Sequence, residues 1–358
     1  MLRAHGDEDV AGIVDQCNDP LSQHYGTLPS PYTREHAEIW LRDRVRAGWQ
    51  TGRYLALAVA DAETDEFLGT VGLHDDGSGT STARELGYGI RPAARGRGLA
   101  TAAVRALLDW AFTNTSLTAV MWRARVGNWA SRRVAWACGF RVEGRVRASS
   151  VVRGEPYDGW IGSLRKSDPR QPAHPWYEPV MLVNGPAMLR GFRPEDVHGI
   201  VHGCSDPETA YWLGTLPQPY TTEDATGYLE HCAEQMASGH GVYWAVADPD
   251  NDQLMGSIGL DQIEHTTGSG HVGYWIAPTG RGRGVGTAAL RAAVRHAAVP
   301  VSDGGLGLRR LVLRAATENI ASRRVAEKAG FLPVGVERQF GPLRDGRYAD
   351  HVLHDIVL

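Results

Sequence analysis

Hydrophobic and polar positions alternate with a period of two along several short stretches of this chain, as expected for strands, and recur every three to four residues along others, as expected for helices. In the first half, the alternation predicts three strands, and a longer helical pattern follows a proline and a glycine-rich loop. A further strand, a helix starting at Asn128 and two closing strands complete the series. The predicted strands lie at 54–60, 67–73, 85–90 and 120–125, and the longest predicted helix lies at 98–112. This mixture indicates an α/β or α+β domain.

The same series occurs again in the second half. The segment "DEDVAGIVDQCNDP" at 7–20 is similar to "PEDVHGIVHGCSDP" at 194–207, and "NWASRRVAWACGF" at 128–140 is similar to "NIASRRVAEKAGF" at 319–331. The corresponding strands are predicted at 242–247, 254–260, 271–276 and 311–315, with a helix at 284–298. A repeat this long indicates a duplicated domain and not a short-period solenoid.

Prolines are concentrated between the two copies, where they stiffen the chain toward polyproline geometry. We therefore predict a first domain over 1–165, a semi-rigid linker over 166–180 and a second domain over 181–358.

The loops "RGRGLAT" at 95–101 and "RGRGVGT" at 281–287 each follow a strand and a proline and open a helix. Glycines allow backbone N–H groups to approach a ligand closely, and a helix amino terminus and arginines favour phosphate. A tight turn with solvated arginines is the structural alternative. The occurrence of the loop twice, in the same setting, favours a binding loop.

Composition narrows the functions further. The net charge of −4 and pI of about 6.4 argue against nucleic-acid binding by bulk electrostatics. The four cysteines are too scattered for a disulfide framework, and no signal peptide or apolar run of about 18 residues is seen. His198 and His202 have metal-ligand spacing, but Ala11 and Asp15 replace them in the first copy. We expect a cytoplasmic protein without a metal, a membrane partner or a nucleic-acid partner.

The ordered motifs resemble those of the GNAT superfamily of N-acetyltransferases. The family's acyl-CoA loop reads Gln/Arg-x-x-Gly-x-Gly/Ala, which both loops match, and "GYWIAP" at 273–278 is similar to the branch that acetylates ribosomal-protein amino termini. The resemblance covers nearly the whole chain, twice. It implies, in each copy, a mixed and mostly antiparallel sheet flanked by helices, with acetyl-CoA or another acyl-CoA as co-substrate.

The resemblance also assigns residues to the co-substrate. Loop amides would bind the CoA pyrophosphate, strand backbone would pair with pantetheine, and an asparagine would lie beside the pantetheine arm. The implied binding residues are Ile90, Arg95, Gly96, Arg97, Gly98, Leu99, Ala100, Thr101 and Asn128 in the first copy and Ile276, Arg281, Gly282, Arg283, Gly284, Val285, Gly286, Thr287 and Asn319 in the second.

The implied reaction is direct attack of a primary amine on the thioester, which needs a base for the amine. Glu85 shares a strand face with Gly87 and Gly89, and the resemblance favours it as that base. The second copy has His271 instead, and a neutral imidazole also accepts a proton. Both side chains have a structural alternative, that of solvated strand residues.

The leaving thiolate needs a proton, and Ser131 and Ser322 occupy the family's serine position three residues after the asparagine. Many relatives use a tyrosine further along this helix, where neither copy has one. Each serine is therefore the predicted acid, with a helix-start hydroxyl that bonds local backbone as the structural alternative.

Acidic residues that precede the base strand are a weaker signal. Asp75 and Asp76, and Asp261 and Glu264, are expected in turns, where they attract a cationic acceptor or are simply solvated.

Three functions remain open from the sequence. Both copies acylate amines, or one copy is a noncatalytic module that binds acyl-CoA or a peptide and serves the other, or the chain binds RNA, which the acidic balance disfavours. The acceptor stays open between a small-molecule amine and a peptide or protein amine, as do acyl chain length and oligomeric state.

Overall fold

A computed structural model describes residues 1–75 and 82–358 of the chain, so the predicted turn residue Asp76 lies outside the described residues. The chain forms two compact units, Met1–Ala173 and His174–Leu358, and the predicted linker at 166–180 is divided between them. Across the two described ranges, no helix is long and apolar enough to cross a membrane.

The first unit contains seven strands and six α-helices among its described residues. A π-helical stretch, Trp40–Arg46, joins α3 to α4. The strands are β1 (Leu2–Arg3), β2 (Tyr54–Ala60), β3 (Phe67–His74), β4 (Ala83–Ile90), β5 (Ala119–Arg125), β6 (Arg141–Val152) and β7 (Glu155–Arg165). The helices are α1 (Val10–Asn18), α2 (Pro20–Tyr25), α3 (Arg34–Ile39), α4 (Ala47–Thr51), α5 (Leu99–Asn114) and α6 (Trp129–Ala137).

The second unit repeats this series and adds a short strand at its start. Its strands are β8 (Leu182–Asn184), β9 (Ala187–Arg190), β10 (Val242–Ala247), β11 (Leu254–Glu264), β12 (Ser269–Ile276), β13 (Arg310–Ala316), β14 (Leu332–Pro342) and β15 (Tyr348–Val357). Its helices are α7 (Asp196–Ser205), α8 (Pro207–Trp212), α9 (Thr222–Ala237), α10 (Val285–Ala298) and α11 (Ile320–Lys328).

Each unit is built on one mixed sheet with the same topology. The order is β1-β2-β3-β4-β5-β7-β6 in the first and β14-β15-β13-β12-β11-β10-β9-β8 in the second. The pairs β4/β5 and β12/β13 are parallel, and the other recorded pairs are antiparallel. The predicted fold class is therefore confirmed.

Most predicted elements agree with the observed ones to within two residues at each end. The largest difference is β11, which continues to Glu264 instead of ending at Leu260. Asp261 and Glu264 were expected in turns, and that expectation is wrong: both lie within the strand, opposite His271 and Ser269. The end of β11 is determined by its pairing with β12, which cannot be inferred from the sequence of β11 alone.

The helix after each glycine loop packs against its sheet through an apolar stripe. In α5 this stripe includes Val104, Leu107 and Leu108, all fully buried. In α10 it consists mainly of alanines, which bury little side chain and so allow the helix to lie close to the sheet. Burial of these stripes fixes the start of each helix, and therefore the loop, beside the end of the preceding strand.

An arginine clamp also holds each glycine loop. The Arg95 Nε–H donates to the Ile90 carbonyl at 3.0 Å, and Arg95 Nη2 lies 2.6 Å from Oδ2 of Asp19. Asp19 is the residue that caps α2. In the second unit, Arg281 makes the same contacts with Ile276 and Asp206, at 3.0 and 2.5 Å. The clamp ties the end of the strand before the loop to the cap of a distant helix.

The aspartate of the clamp is electrostatically stabilised. Partial burial alone would raise its pKa, but the Thr209 backbone N–H and the Arg281 guanidinium together hold the pKa of Asp206 below its usual range. The pKa of Asp19 is lowered in the same way, against burial, by Arg95 and the Ser22 backbone N–H. Both carboxylates are thus better stabilised in the folded than in the unfolded chain.

We expect Asp206→Ala to lower the free energy of unfolding by about 2 kcal/mol at pH 7, because it removes both a helix cap and the partner of a charged hydrogen bond. Asp206→Asn keeps the cap acceptor and should cost about 1 kcal/mol. A lowered pKa means that the carboxylate stabilises the fold fully above the ordinary aspartate value of about 3.9 and loses this effect as the pH falls through the folded value. Urea denaturation should therefore show a smaller difference between Asp206→Asn and wild type at pH 3 than at pH 7. The exposed Asp303→Asn serves as control, and an equal difference at both pH values would contradict the clamp.

Candidate active site

The parallel strands of each sheet separate part-way along their length. The strand β4 pairs with β5 only from Ala83 to Leu86, and β12 pairs with β13 only from Ser269 to His271. Residues 87–90 and 272–276 continue to pair with β3 and β11 on their other side. Within the ranges that the structure describes, no strand pairs with the opened edge, so its backbone groups are available to a ligand that carries amides.

The glycine loop lies at the far end of this opened edge. Gly98 and Gly284 cap α5 and α10 with φ of 74° and 78°, and Gly96 and Gly282 have φ of 74° and 71°. In this left-handed region a non-glycine residue is disfavoured. A Cβ at any of the four would meet no protein atom within 4 Å. The conformation is thus demanded by the backbone path, and the space in front of the loop is open.

The residues after these glycines form the first turn of the following helix. Backbone N–H groups in a first turn have no partner within the helix, so those of Leu99, Ala100 and Thr101 in α5, and of Val285, Gly286 and Thr287 in α10, are suited to an anion. Gly286 packs closely against the end of the opened strand, since a Cβ there would lie 3.4 Å from Ile276 Cγ1.

The loop arginines have different settings. Arg95 and Arg281 are held in the clamp and act on the loop through its conformation. Arg283 lies beside Asp248, with Nη2 and Oδ2 3.2 Å apart, and Arg97 is exposed. Contact of any of the four with a bound ligand remains a prediction.

The predicted asparagines and serines lie together where the sheet opens. Asn128 caps α6, and its Oδ1 accepts from the Ser131 backbone N–H at 3.1 Å. Asn319 caps α11 and accepts from Ser322 at 3.0 Å. Each asparagine therefore fixes the start of the helix that carries the serine, while its place beside pantetheine remains a prediction.

A tyrosine from the opened strand holds each serine. The Tyr88 hydroxyl donates to the Ser131 carbonyl at 2.7 Å and lies 2.8 Å from Ser131 Oγ. Tyr274 contacts Ser322 in the same way, at 3.2 and 2.9 Å. Because a carbonyl only accepts, the tyrosine hydroxyl donates to it, and a second hydrogen bond joins the tyrosine and serine oxygens.

The sequence patterns did not predict this pair, because the tyrosine of many relatives lies on the serine's own helix, where neither copy has one. Burial raises the pKa of Tyr274 to about 12, against a lowering by the Ser322 hydrogen bond, and burial also raises the pKa of Tyr88. Both tyrosines therefore stay protonated and serve as fixed donors. The available signal was the "GY" that precedes each loop.

Glu85 lies at the point where β4 and β5 begin to separate, opposite His74 on β3. Its carboxylate bonds the Arg123 guanidinium and lies 4.0 Å from His74 Nε2. His271 has the same position in β12, and its Nδ1 lies 3.0 Å from Asp261 Oδ1. Both predicted bases are partly exposed at the separation of the strands, and their role as bases remains a prediction.

The strand face that carries the bases differs between the units. A Cβ at Gly89 would lie 2.5 Å from the amide nitrogen of Gln16, so a glutamine from α1 covers this glycine. In the second unit Trp275 occupies the corresponding strand position, and a Cβ at Gly203 of α7 would lie 2.3 Å from its ring. A polar amide thus covers this strand face four residues beyond the base in the first unit, and an indole lies there in the second.

No group of three or more potential metal-ligating side chains is found in residues 1–75 or 82–358. His198 and His202 lie on α7 without a third such partner in that part of the chain.

Comparison with known proteins places both halves in one family. The family model described as "Acetyltransferase (GNAT) domain" matches residues 1–141 and 187–332. YdaF of Bacillus subtilis is 36% identical over 104 residues, which are 29% of this chain and 51% of that protein. The ribosomal-protein-serine acetyltransferase of Escherichia coli is 32% identical over 94 residues, 26% of this chain and 50% of that protein. The chain thus spans about half the length of these curated relatives.

Among solved structures, Mycobacterium smegmatis RimJ in complex with CoA-disulfide matches with a TM-score of 0.45 and 21% identity, over 51% of this chain and 90% of that one. The family model covers most of both halves, and the opened sheet and glycine loop occur in each. The chain belongs to the GNAT acetyltransferase family, with one GNAT domain in each half.

Proposed function

We propose that this chain is an acyl-CoA-dependent N-acetyltransferase that moves an acetyl group from acetyl-CoA to a primary amine by direct attack. The observation that carries this proposal is the opened strand edge, which ends at a left-handed glycine loop in both units. An extended ligand with amides at one end and a diphosphate at the other is complementary to such a surface. Family membership supports the same co-substrate.

The residues divide into two groups with different tasks. The strand edges at 87–90 and 272–276 and the loops that follow them would hold and orient acetyl-CoA. Glu85 and His271, at the start of each opened edge, would accept the proton of the attacking amine. Tyr88 and Tyr274 would keep the far wall of the opening in place, and the hydroxyls of Ser131 and Ser322 would protonate the leaving thiolate.

The acceptor that we propose is the α-amine of a peptide or protein. The support is the similarity to a relative whose name describes ribosomal-protein-serine acetylation. An α-amine has a pKa of about 7.7–8.0, against about 10.4 for lysine, so a partly exposed carboxylate or imidazole is a sufficient base for it. Release of CoA thiol should be faster with peptides that have a free amino terminus than with the same peptides blocked there and carrying a lysine. The reverse order would contradict this acceptor.

A second function is favoured by the divergence of the base face. Glu85 with Gln16 in the first unit and His271 with Trp275 in the second would not treat one acceptor equally. One unit would then bind acyl-CoA or a peptide without turnover and serve the other.

Calorimetry on loop variants distinguishes these functions. The wild-type chain should bind two acetyl-CoA molecules, Gly98→Asp and Gly284→Asp one each, and the double variant none, because aspartate places a side chain and a like charge where a diphosphate would lie. Gly52→Asp and Gly304→Asp are matched controls: both glycines have positive φ and open surroundings but lie outside the loops. All four should lose about 1–2 kcal/mol of stability, and only the loop variants should lose binding. A wild-type stoichiometry of one would contradict two sites.

The base of the second unit can be tested when the first loop is disabled by Gly98→Asp. There, His271→Ala should lower kcat about 10²–10⁴-fold and leave acetyl-CoA affinity nearly unchanged, since backbone groups hold the co-substrate. The matched experiment is Glu85→Gln in the Gly284→Asp background. An unaffected rate in His271→Ala would remove that residue from the mechanism. If only one of the two backgrounds shows turnover, the unit whose loop is intact in the inactive background is the binding module.

A further inference from the structure

The two units carry the same pair of chemical groups beside the strand opening, but in exchanged positions. In the first unit His74 on β3 lies opposite Glu85 on β4, and in the second Asp261 on β11 lies opposite His271 on β12. An imidazole therefore faces a carboxylate across the same strand pair in both units. The imidazole and the carboxylate have exchanged strands between the two units, but they remain paired with each other.

We propose that Asp261 is a positioning residue that makes His271 a competent base, an inference that rests on the proposed function. The Nδ1 of His271 lies 3.0 Å from Asp261 Oδ1. An ionised carboxylate only accepts hydrogen bonds, so the imidazole proton lies on Nδ1. The Nε2 lone pair is then free to accept a proton from an amine.

The surroundings of the pair support this arrangement. In the first unit the Arg123 guanidinium bonds the Glu85 carboxylate. The corresponding arginine of the second unit, Arg314, bonds Glu337 instead, with Nε and Oε2 2.8 Å apart. This arginine has therefore changed its partner together with the change from glutamate to histidine. A cation left unpaired beside His271 would oppose the imidazolium that must form during the reaction.

The position of the pair fits the chemical step. His271 is the last residue of β12 that pairs with β13, so it stands where the opened edge begins. The amine nitrogen forms a bond to the thioester carbonyl carbon, and the carbon–sulfur bond breaks. The amine proton passes to His271 Nε2 and is then returned, through the Ser322 hydroxyl, to the CoA thiolate, which regenerates the neutral imidazole and balances the reaction. Asp261 stabilises the imidazolium between these two transfers.

Two measurements in the Gly98→Asp background test the role of Asp261. Asp261→Asn should lower kcat about 10–100-fold with the KM for acetyl-CoA unchanged, because it loosens the orientation of the base without touching the loop. Nitrogen-15 NMR of the imidazole should show the Nδ1–H tautomer in the parent protein and a mixture of tautomers in Asp261→Asn. This second readout needs no turnover, and a loss of kcat that coincides with the change of tautomer assigns the loss to the orientation of the base. Asp303→Asn removes an exposed carboxylate of the same unit and should change neither quantity.

An exchange variant provides the rescue. Asp261→His combined with His271→Glu rebuilds the order of the first unit and should recover at least about tenfold of the rate lost in Asp261→Asn. An unchanged kcat or an unchanged tautomer in Asp261→Asn would overturn the role of Asp261 alone. Binding of acetyl-CoA without turnover in the Gly98→Asp parent, while Gly284→Asp remains active, would overturn catalysis by the second unit and the role of Asp261 with it. Loss of acetyl-CoA binding to both parents would overturn the proposed function itself.

Discussion

The separation of two parallel strands is the constraint on which both units depend. Backbone N–H and C=O groups inside a sheet need partners, and β4 and β12 lose those on one side beyond Leu86 and His271. Other features of each unit hold the two sides of this opening in place. The arginine clamp fixes the end of the opened strand, the asparagine cap starts the helix on the opposite side, and the tyrosine–serine contact joins the two.

The duplication separates what the two units share from what each has changed. Loop glycines, clamp, asparagine cap and tyrosine–serine contact are the same in both, down to similar distances. The strand face that carries the bases is where they differ. This is the distribution expected if both units hold one common ligand along the shared surfaces, while the other face is free to adapt to a different acceptor.

The differences come as paired exchanges and not as isolated substitutions. Gln16 covers Gly89 in the first unit, whereas Trp275 covers Gly203 in the second, because the gap between helix and strand has room for one large side chain. The imidazole and carboxylate opposite each other have exchanged positions in the same manner. In both cases the two positions that changed are in contact, one pair between helix and strand and the other between neighbouring strands.

Features set by neighbours along the chain followed from the sequence by itself: the duplicated series of elements and the glycine loops that open helices, since local backbone preferences and side-chain periodicity determine them. Tertiary structure alone decided where the strands separate and which distant groups meet there. Arg95 reaches an aspartate 76 residues away, and Tyr88 a serine 43 residues away. The extension of β11, which turned Asp261 from an expected turn residue into the partner of His271, also arose from pairing with another strand. Such contacts depend on strand order and register, which are fixed by the packing of the whole sheet and leave no mark in any single segment.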